Sequence, residues 1–299
     1  MGRKEPPARP RDIGGMSRFT EPVYPRPQLP PFEALTTYYR AVGPLMLPFL
    51  ERRPLNLYRC SGERCFFQRN RDHPPTGEGF FQPPIRQAPI EQKNGRTEAY
   101  LHVDDVAGII ACVEAKTIEF HAWGCRIGDV ERPDRIAIDL DPGEGVGFGE
   151  VRDAALQVRQ SLAAIGLESW PLLTGGKGAH VVVPIRPEGG WDEVRGFASR
   201  FCAALARLLP DRFTVALPKK ERRGRIFLDY LRNQRTATAI MPWSLRARDG
   251  APVATPVSWT EFEKAGSAVA MTFADIAQAK QRARRQRGWG ASDQSLPRI

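Results

Sequence analysis

The sequence contains no long hydrophobic run: among its 299 residues, no apolar stretch reaches the roughly 20 residues that a membrane-spanning helix requires. Residues 1–15, MGRKEPPARPRDIGG, are basic and rich in Pro and Gly, and they lack the apolar segment of a secretory signal. These two absences predict a soluble, cytoplasmic protein. Because 41% of the residues are hydrophobic, the chain can still bury a substantial core.

Cysteine is scarce, and the few cysteines do not suggest a disulfide framework. They are odd in number and scattered along the chain, at Cys60, Cys65, Cys112, Cys125 and Cys202. We therefore expect reduced thiols, as in a cytosolic protein. Zinc binding by Cys60, Cys65 and His73 is an alternative, but a fourth ligand is missing and the spacing is poor.

Acidic residues are outnumbered, with 34 Asp and Glu against 44 Lys and Arg, which gives a net charge of +10. A positive surface potential favours polyanionic partners, and nucleic acid is the first candidate. Part of the excess lies in KQRARRQRG at residues 280–288, which we expect on a helix. This segment forms either a solvated charged face or a nucleic-acid contact.

The spacing of apolar residues predicts a protein that mixes helices and strands. In the first half we expect a helix over 32–50, a strand pair from PLNLYRC and CFFQRN, an extended loop over 71–98, a strand in EAYLHVDD, and then a helix capped by Asp104 or Asp105. In the second half we expect strands at 136–140, 168–173, 179–185, 213–217, 225–230 and 237–241, and helices at 149–165 and 191–209.

The stretch IAIDLDPGEG, residues 136–145, places two carboxylates in an otherwise hydrophobic strand. Residues i and i+2 of a strand point to the same face, so Asp139 and Asp141 project together, with Cα atoms about 6 to 7 Å apart. Such side chains can converge on one metal ion, or on two ions about 3.5 to 4 Å apart. Pro142-Gly143 ends the strand and leaves the pair accessible. The alternative is ordinary turn chemistry, because Asp is common before Pro-Gly.

A second stretch, LLTGGKGAHV at residues 172–181, is typical of phosphate binding. Glycines such as Gly175 let backbone N–H groups approach an anion, while Thr174 adds a hydroxyl and Lys177 a positive charge. His180 begins the return strand. The spacing of a Walker A loop is absent, and a simple glycine-rich hairpin is the alternative.

In a third stretch, residues 221–248, Asp229 interrupts an apolar strand. A lone buried carboxylate costs several kcal/mol unless it is paired or metal-bound. An ion pair would satisfy it, and the neighbouring arginines are Arg222, Arg225, Arg232, Arg235 and Arg246. Together, however, the three stretches provide aspartates for divalent metal, a loop for phosphate and arginines for the remaining negative charge. Metal-dependent nucleotidyl transfer needs these parts.

DLDPGEG, TGGKGAH and IFLDYLRNQRTATAIMPWSLRAR, in this order, resemble the three motifs of the polymerase domain of bacterial DNA ligase D, within the archaeo-eukaryotic primase superfamily. The resemblance extends to YYRAVGPLMLPFLERRPLNLYRC, FFQRN and IEFHAW, and it covers residues 18–265. It implies an α/β (α+β) primase-polymerase fold with an N-terminal α/β lobe over 18–120 and a catalytic lobe with an RNA-recognition-like sheet over 121–265. Residues 1–17 would form a flexible basic tail, and residues 266–299 a C-terminal basic helix and tail.

The resemblance also implies an activity: template-directed addition of NTPs or dNTPs with two Mn²⁺ or Mg²⁺ ions, at a primed template, a gap or a double-strand-break end. It implies a place in bacterial non-homologous end joining at the nucleoid, with Ku and a separate ATP-dependent DNA ligase as partners. By position, Asp139, Asp141 and Asp229 match the metal ligands. The positions that match nucleotide contacts are His121, Thr174, Lys177, His180, Arg222 and Arg246.

The chain departs from the family pattern in several places, and one of them is Arg69 in FFQRN, which stands where a lysine is frequent and keeps the charge. Thr174 replaces the usual serine and keeps its hydroxyl. LPPFEALTTYY has no lysine where many relatives place one for a downstream 5′-phosphate, which leaves recognition of gaps and ends open. No K-x-D-G ligase motif is present, since the nearest stretch is ARDG at 247–250. We therefore expect a polymerase without a ligase, either free-standing or excised from a longer chain.

Two other functions account for part of the pattern. A non-catalytic DNA-end binding module of the same fold would keep the basic surface, but the presence of all three aspartates argues against it. A D-x-D glycosyltransferase that uses a nucleotide-sugar would explain a metal and a diphosphate. It would explain neither the arginine-rich strand around Asp229 nor the net charge.

Overall fold

The computed structural model describes residues 24–70, 83–286 and 288–297, so the expected tail over 1–17 and His73 lie outside the described residues. The strands are β1 (Tyr24–Pro25), β2 (Leu55–Ser61), β3 (Arg64–Gln68), β4 (Arg86–Glu91), β5 (Thr97–His102), β6 (Thr117–Ala122), β7 (Arg135–Pro142), β8 (Trp170–Leu173), β9 (Ala179–Pro184), β10 (Phe213–Thr214), β11 (Ile226–Asp229), β12 (Ala239–Ile240) and β13 (Thr255–Pro256). The helices are α1 (Phe32–Leu50), α2 (Val106–Glu114), α3 (Phe148–Ala164), α4 (Trp191–Leu208), α5 (Trp259–Glu263) and α6 (Ile276–Arg285). The mixed α/β class is confirmed.

Two sheets organise the molecule. The first has the strand order β1-β3-β2-β6-β12, the second β10-β11-β7-β9-β8-β13, and β4 pairs with β5 as a separate hairpin. Strand β12 lies within the third motif, after Asp229 in the chain, but pairs with β6 of the first sheet. Buried residues after it, such as Trp243 and Leu245, pack in the core beneath α1 and α2. The lobe boundaries inferred from the sequence stay predictions.

Strand β7 shows how the second sheet separates its core from its polar face. Side chains alternate along a strand, and Ile136, Ile138 and Leu140 pack in one core with the apolar stripes of α3 and α4. Asp139 and Asp141 belong to the opposite set. The same alternation that builds the core therefore places both carboxylates on the face away from these helices.

The reduced-thiol expectation is wrong for one pair of cysteines, because Cys60 and Cys65 form a disulfide across the β2-β3 hairpin. The hairpin register sets the two residues directly opposite each other, with Cα atoms 4.1 Å apart. The spacing of five residues in the sequence does not reveal this register. The pairing also removes both sulfurs from the zinc hypothesis. Cys112, Cys125 and Cys202 are free and buried, as expected.

The extended loop expected over 71–98 is wrong in its second part, where β4 pairs with β5. Ala88 and Ile90 are buried and their neighbours are exposed, which is the alternation of a strand with one covered face. Pro89 hides this pattern in the sequence, although a strand tolerates proline where its N–H is not needed by a partner. Residues 71–82 lie outside the described part of the chain.

The other expected helices and strands are present, although β10 and β12 are only two residues long, and β1, β6, β13 and α5 were not predicted. Asp105 caps α2 by accepting a hydrogen bond from the Gly108 N–H at 2.7 Å, and α6 covers most of the basic segment. In α6, Arg282 pairs with Glu261 at 2.7 Å, so this arginine contributes to packing as well as to charge. Nucleic-acid contact by the rest of α6 stays a prediction. Among the described residues, none of the helices is both long and apolar enough to cross a membrane.

Candidate active site

Three carboxylates meet where β7 lies beside β11. Asp229 is directly opposite Asp139 in the antiparallel register, and Asp141 follows on the same face of β7. Each residue offers a carboxylate oxygen within 4.8 Å of the other two. Asp139 and Asp229 are buried, at 8% and 7% exposure. The predicted convergence of the three aspartates is therefore present in the structure.

Burial disfavours the ionised form of each carboxylate in the cluster, and neighbouring charges modify this effect. Burial, followed by repulsion from Asp139, raises the pKa of Asp141 to about 6. Burial also raises the pKa of Asp229, although Arg232 opposes this shift. For Asp139, burial alone would raise the pKa, but His180 and Arg232 outweigh it and lower the value. Carboxylate oxygens are the donors that Mg²⁺ and Mn²⁺ prefer, so the donor set fits divalent metal.

Arg232 is the arginine that pairs with Asp229. Its Nε atom lies 3.1 Å from Asp229 Oδ2 and 3.5 Å from Asp139 Oδ2. The sequence did not single out Arg232 among its neighbours, although its position three residues after Asp229 was a usable signal. Arg235 instead pairs with Glu131 at 2.8 Å, and Arg225 donates to backbone carbonyls.

The glycine-rich stretch forms the predicted hairpin between β8 and β9. His180 is opposite Asp139 in the register, and its Nε2 atom lies 3.5 Å from Asp139 Oδ1. Thr174 Oγ1 donates to the Gly178 carbonyl at 2.8 Å, which stabilises the loop. Lys177 is exposed and lines the same pocket as the aspartates. The structure therefore places this loop beside the carboxylates.

Gly175 allows both a close approach of the Arg246 side chain and a backbone conformation that favours glycine. Its N–H donates to the Ala268 carbonyl at 3.0 Å, rather than pointing to an anion. Its φ of +69° favours glycine, and a Cβ atom there would lie 3.0 Å from Arg246 Cγ. Gly175 therefore lets the Arg246 side chain cross close to the loop. Its contact with a nucleotide stays a prediction.

Arg246 reaches the site from the segment after β12. Its Nη1 donates to the Thr174 carbonyl at 2.9 Å, and its Nε lies 3.2 Å from Glu119 Oε2. Glu119 also accepts a hydrogen bond from His121 Nε2 at 2.8 Å. The structure thus joins His121 to Arg246 through Glu119, a residue that the sequence analysis missed. Its place two residues before His121 on β6 was the available signal.

Two tyrosines of α1 hold the backbone that carries Arg246. Tyr38 OH donates to the Trp243 carbonyl at 3.0 Å. Tyr39 OH donates to the Ile118 carbonyl at 2.6 Å and accepts from the Leu245 N–H at 2.9 Å. Both side chains are fully buried. The Tyr-Tyr pair of the first half therefore supports a segment that belongs to the site.

Arg222 lines the pocket but is held by its own loop. Its Nε and Nη2 donate to the carbonyls of Ala216 and Leu217 at 3.1 and 2.6 Å. Its guanidinium carbon lies 3.6 Å from the centre of the Phe227 ring, which is a cation–π contact. Nucleotide binding by Arg222 stays a prediction.

The pocket around the aspartates has a volume of about 640 Å³ and contains both signs of charge. Three further basic residues are exposed at its edge, and they were not among the candidates predicted from the sequence: Lys219, Lys220 and Arg248. Carboxylates on one side can hold cations, and the lysines and arginines on the other can hold phosphates. The arrangement is suited to a metal-bound polyphosphate.

A substitution at Gly143 measures how closely the end of β7 packs against the loop that carries Arg222 and Arg225. A Cβ at Gly143 would overlap the Arg222 carbonyl, while the Gly143 N–H donates to the Arg225 carbonyl at 2.9 Å. We expect Gly143→Ala to lower the free energy of unfolding by about 1–3 kcal/mol, the usual cost of overpacking, as measured by urea denaturation. Gly149→Ala in α3 is the matched control, because nothing lies within 4 Å of its Cβ position. An equal effect of both substitutions would contradict the close approach.

Comparisons with known proteins agree on one family. A family model described as "LigD, primase-polymerase domain" matches residues 33–287. The "Multifunctional non-homologous end joining protein LigD" of Pseudomonas aeruginosa is 34% identical over 232 residues, which are 77% of this chain and 27% of that protein. The "Bifunctional non-homologous end joining protein LigD" of Bacillus subtilis is 27% identical over 262 residues, which are 82% of this chain and 41% of that protein.

Solved structures show the same similarity in three dimensions. A structure titled "Polymerase Domain from Mycobacterium tuberculosis Ligase D in complex with DNA" matches with a TM-score of 0.74 and 26% sequence identity. The match covers 85% of this chain and 89% of that one. The chain therefore matches most of that domain, whereas it spans less than half of each of the two LigD proteins above.

Proposed function

Because the chain belongs to the LigD primase-polymerase domain family, we propose that it is a template-directed nucleotidyltransferase that adds NTPs or dNTPs to a primer end. The observation that carries this proposal is the cluster of Asp139, Asp141 and Asp229, of which Asp139 and Asp141 line a pocket together with Lys177 and Arg246. Carboxylates alone would suit many metal sites. Carboxylates opposite phosphate-binding cations suit metal-dependent nucleotidyl transfer.

The three aspartates would hold two Mn²⁺ or Mg²⁺ ions. When bound, the two ions provide positive charge for the attacking hydroxyl and for the leaving pyrophosphate. Lys177 and Arg246 neutralise phosphate oxygens of the incoming nucleotide, and His180, Thr174, Arg222 and His121 are proposed as further contacts. Arg232 balances Asp139 and Asp229 from within the protein.

The partners and the setting are proposals that the relatives support. The solved structure above is described as a complex with DNA, and the curated relatives are named for non-homologous end joining. For this chain we propose a DNA gap, a primed template or a break end as substrate, with Ku and a separate ATP-dependent ligase as partner proteins. The proposed location is the bacterial cytoplasm, at the nucleoid. The net charge of +10 is consistent with a nucleic-acid partner.

Primer extension tests the proposal directly. The wild-type chain should extend a labelled primer on a DNA template in the presence of Mn²⁺, with NTP and dNTP supplied in separate reactions. Binding of the primed template without extension would instead indicate the non-catalytic module. Turnover of a nucleotide-sugar would indicate the glycosyltransferase.

A gapped DNA substrate tests whether the chain recognises a downstream 5′-phosphate without the usual lysine. The stretch LPPFEALTTYY offers no lysine for a downstream 5′-phosphate. We therefore expect the rate of filling a one-nucleotide gap to change less than about twofold when this phosphate is removed, since one lost charge-assisted contact would otherwise cost tenfold or more. Single-turnover gap filling on the two substrates measures this difference. A tenfold fall without the phosphate would show that other residues recognise it.

A further inference from the structure

Glu119 is a buried carboxylate that neither lines the pocket nor belongs to the aspartate cluster. It lies on β6 at 5% exposure. Its Oε1 accepts a hydrogen bond from the Ala247 N–H at 2.8 Å, and its Oε2 accepts one from His121 Nε2 at 2.8 Å. The same Oε2 lies 3.2 Å from Arg246 Nε, as an ion pair rather than an aligned hydrogen bond. One carboxylate of the first sheet thus joins three groups of the site.

These contacts restrict the orientation of the Arg246 guanidinium. An arginine side chain has many rotamers and five N–H donors. Here Nη1 is held by the Thr174 carbonyl and Nε by Glu119. Within the part of the chain that the structure describes, Nη2 makes neither a hydrogen bond nor an ion pair. With Lys177, Arg246 lines the pocket beside the aspartates, so Nη2 is the nitrogen left for a ligand.

The charge state of Glu119 is consistent with this restraint. Burial would raise its pKa, but His121 and Arg246 outweigh burial and lower the pKa to about 2. Glu119 is therefore ionised at neutral pH and acts only as an acceptor. It follows that His121 Nε2 carries a proton in this contact.

We propose that Glu119 is a positioning residue, which holds Arg246 in the orientation that meets the phosphates of the incoming nucleotide. This inference rests on the nucleotidyltransferase function proposed above and deepens it. Glu119 touches no reacting atom. Its effect passes through Arg246, while the Tyr38 and Tyr39 hydroxyls fix the backbone on which Arg246 sits.

Glu119→Gln separates the contact with Arg246 from the other two contacts. The Gln carbonyl oxygen can still accept from the Ala247 N–H. His121 can change tautomer and accept from the Gln amide. Arg246 cannot adapt, because it has only donors and would face an N–H₂ group. The variant therefore removes one contact of the three.

We expect Glu119→Gln to raise the KM for the nucleotide at least tenfold and to leave kcat within about threefold, because phosphate binding is shared by the ground state and the transition state. Glu114→Gln, at an exposed pair with Arg40, is the control and should change neither constant. A purely structural role would lower the melting temperature and the amount of active protein without this split between KM and kcat. That result would overturn the proposal.

A double-substitution cycle makes the test specific to Arg246. In an Arg246→Met background, Glu119→Gln should have little further effect on kcat/KM, because the group that it positions is gone. Additive losses would show that Glu119 acts independently of Arg246, and they would overturn the inference.

Arginine side-chain NMR keeps the inference testable if Glu119→Gln fails to fold or the chain proves inactive. In wild-type, nucleotide-free protein the Nε–H signal of Arg246, assigned by its loss in Arg246→Lys, should be resolved and slow to exchange with water. An averaged, rapidly exchanging signal would overturn the positioning. Lack of primer extension together with a restrained Arg246 would count against the proposed function alone.

Discussion

Asp229→Asn should reduce nucleotide incorporation by about a thousandfold or more, since one lost catalytic charge contact typically costs 10²–10³ in rate and a metal ligand holds an ion as well. Asn keeps the shape of the side chain, and its carbonyl oxygen can still accept the Leu231 N–H bond that Asp229 Oδ1 accepts at 2.9 Å. What is lost is one of the three negative charges of the aspartate cluster. The rate should be measured by single-turnover primer extension with Mn²⁺.

Two controls separate this loss from unfolding and from loss of DNA binding. Asp153→Asn removes an exposed carboxylate on α3 that pairs with its neighbour Arg152, and it should leave the rate unchanged. Binding of a primed template by Asp229→Asn, measured by fluorescence anisotropy, should remain within about threefold of wild type, because basic residues dominate nucleic-acid affinity. Incorporation within tenfold of wild type would contradict a metal-holding role for Asp229.

The sequence predicts the aspartate site well because strand alternation is local. Because side chains alternate along a strand, Asp139 and Asp141 lie on one face. The antiparallel register of β11 and β7 then places Asp229 opposite Asp139. Motif order then identifies the family, which the family model confirms. The metal-bound state and the individual nucleotide contacts stay predictions, since pairing among the protein's own residues does not identify a ligand.

Long-range pairings account for what the sequence does not predict. Glu119 meets Ala247 across 128 residues, and Tyr39 meets Leu245 across 206 residues, so no local pattern indicates either contact. Five arginines lie near Asp229 in the sequence, and the fold assigns the ion pair to Arg232. The disulfide was missed for a related reason, because it depends on the register of a hairpin rather than on cysteine count.

Asp134→Asn should lower the free energy of unfolding by about 3–5 kcal/mol, the usual cost of leaving a buried charge without its partner. Arg53 is 2% exposed, and it donates to both carboxylate oxygens of Asp134, at 2.8 and 2.5 Å. Arg126 and Arg135 approach the same carboxylate at 3.6 and 3.4 Å. Without the negative charge, three guanidiniums would repel one another at the end of α1. Asp129→Asn, at an exposed pair with Arg132, should cost less than about 1 kcal/mol.

The stability difference between wild type and Asp134→Asn should depend on pH. Burial would raise the pKa of Asp134, but Arg53 and Arg135 outweigh it and lower the value from 3.8 to about 2. A lowered native pKa means that the ionised group stabilises the fold above the unfolded pKa, and that this contribution is lost as pH falls toward 2. A shift of this size corresponds to roughly 2.5 kcal/mol. Urea denaturation at pH 6, 4 and 3 should therefore show the two free energies of unfolding converging, because the wild-type carboxylate gains a proton in the unfolded chain and the amide of the variant does not. A difference that stays constant down to pH 3 would mean that Asp134 stabilises the end of α1 through hydrogen bonding and packing rather than through its charge.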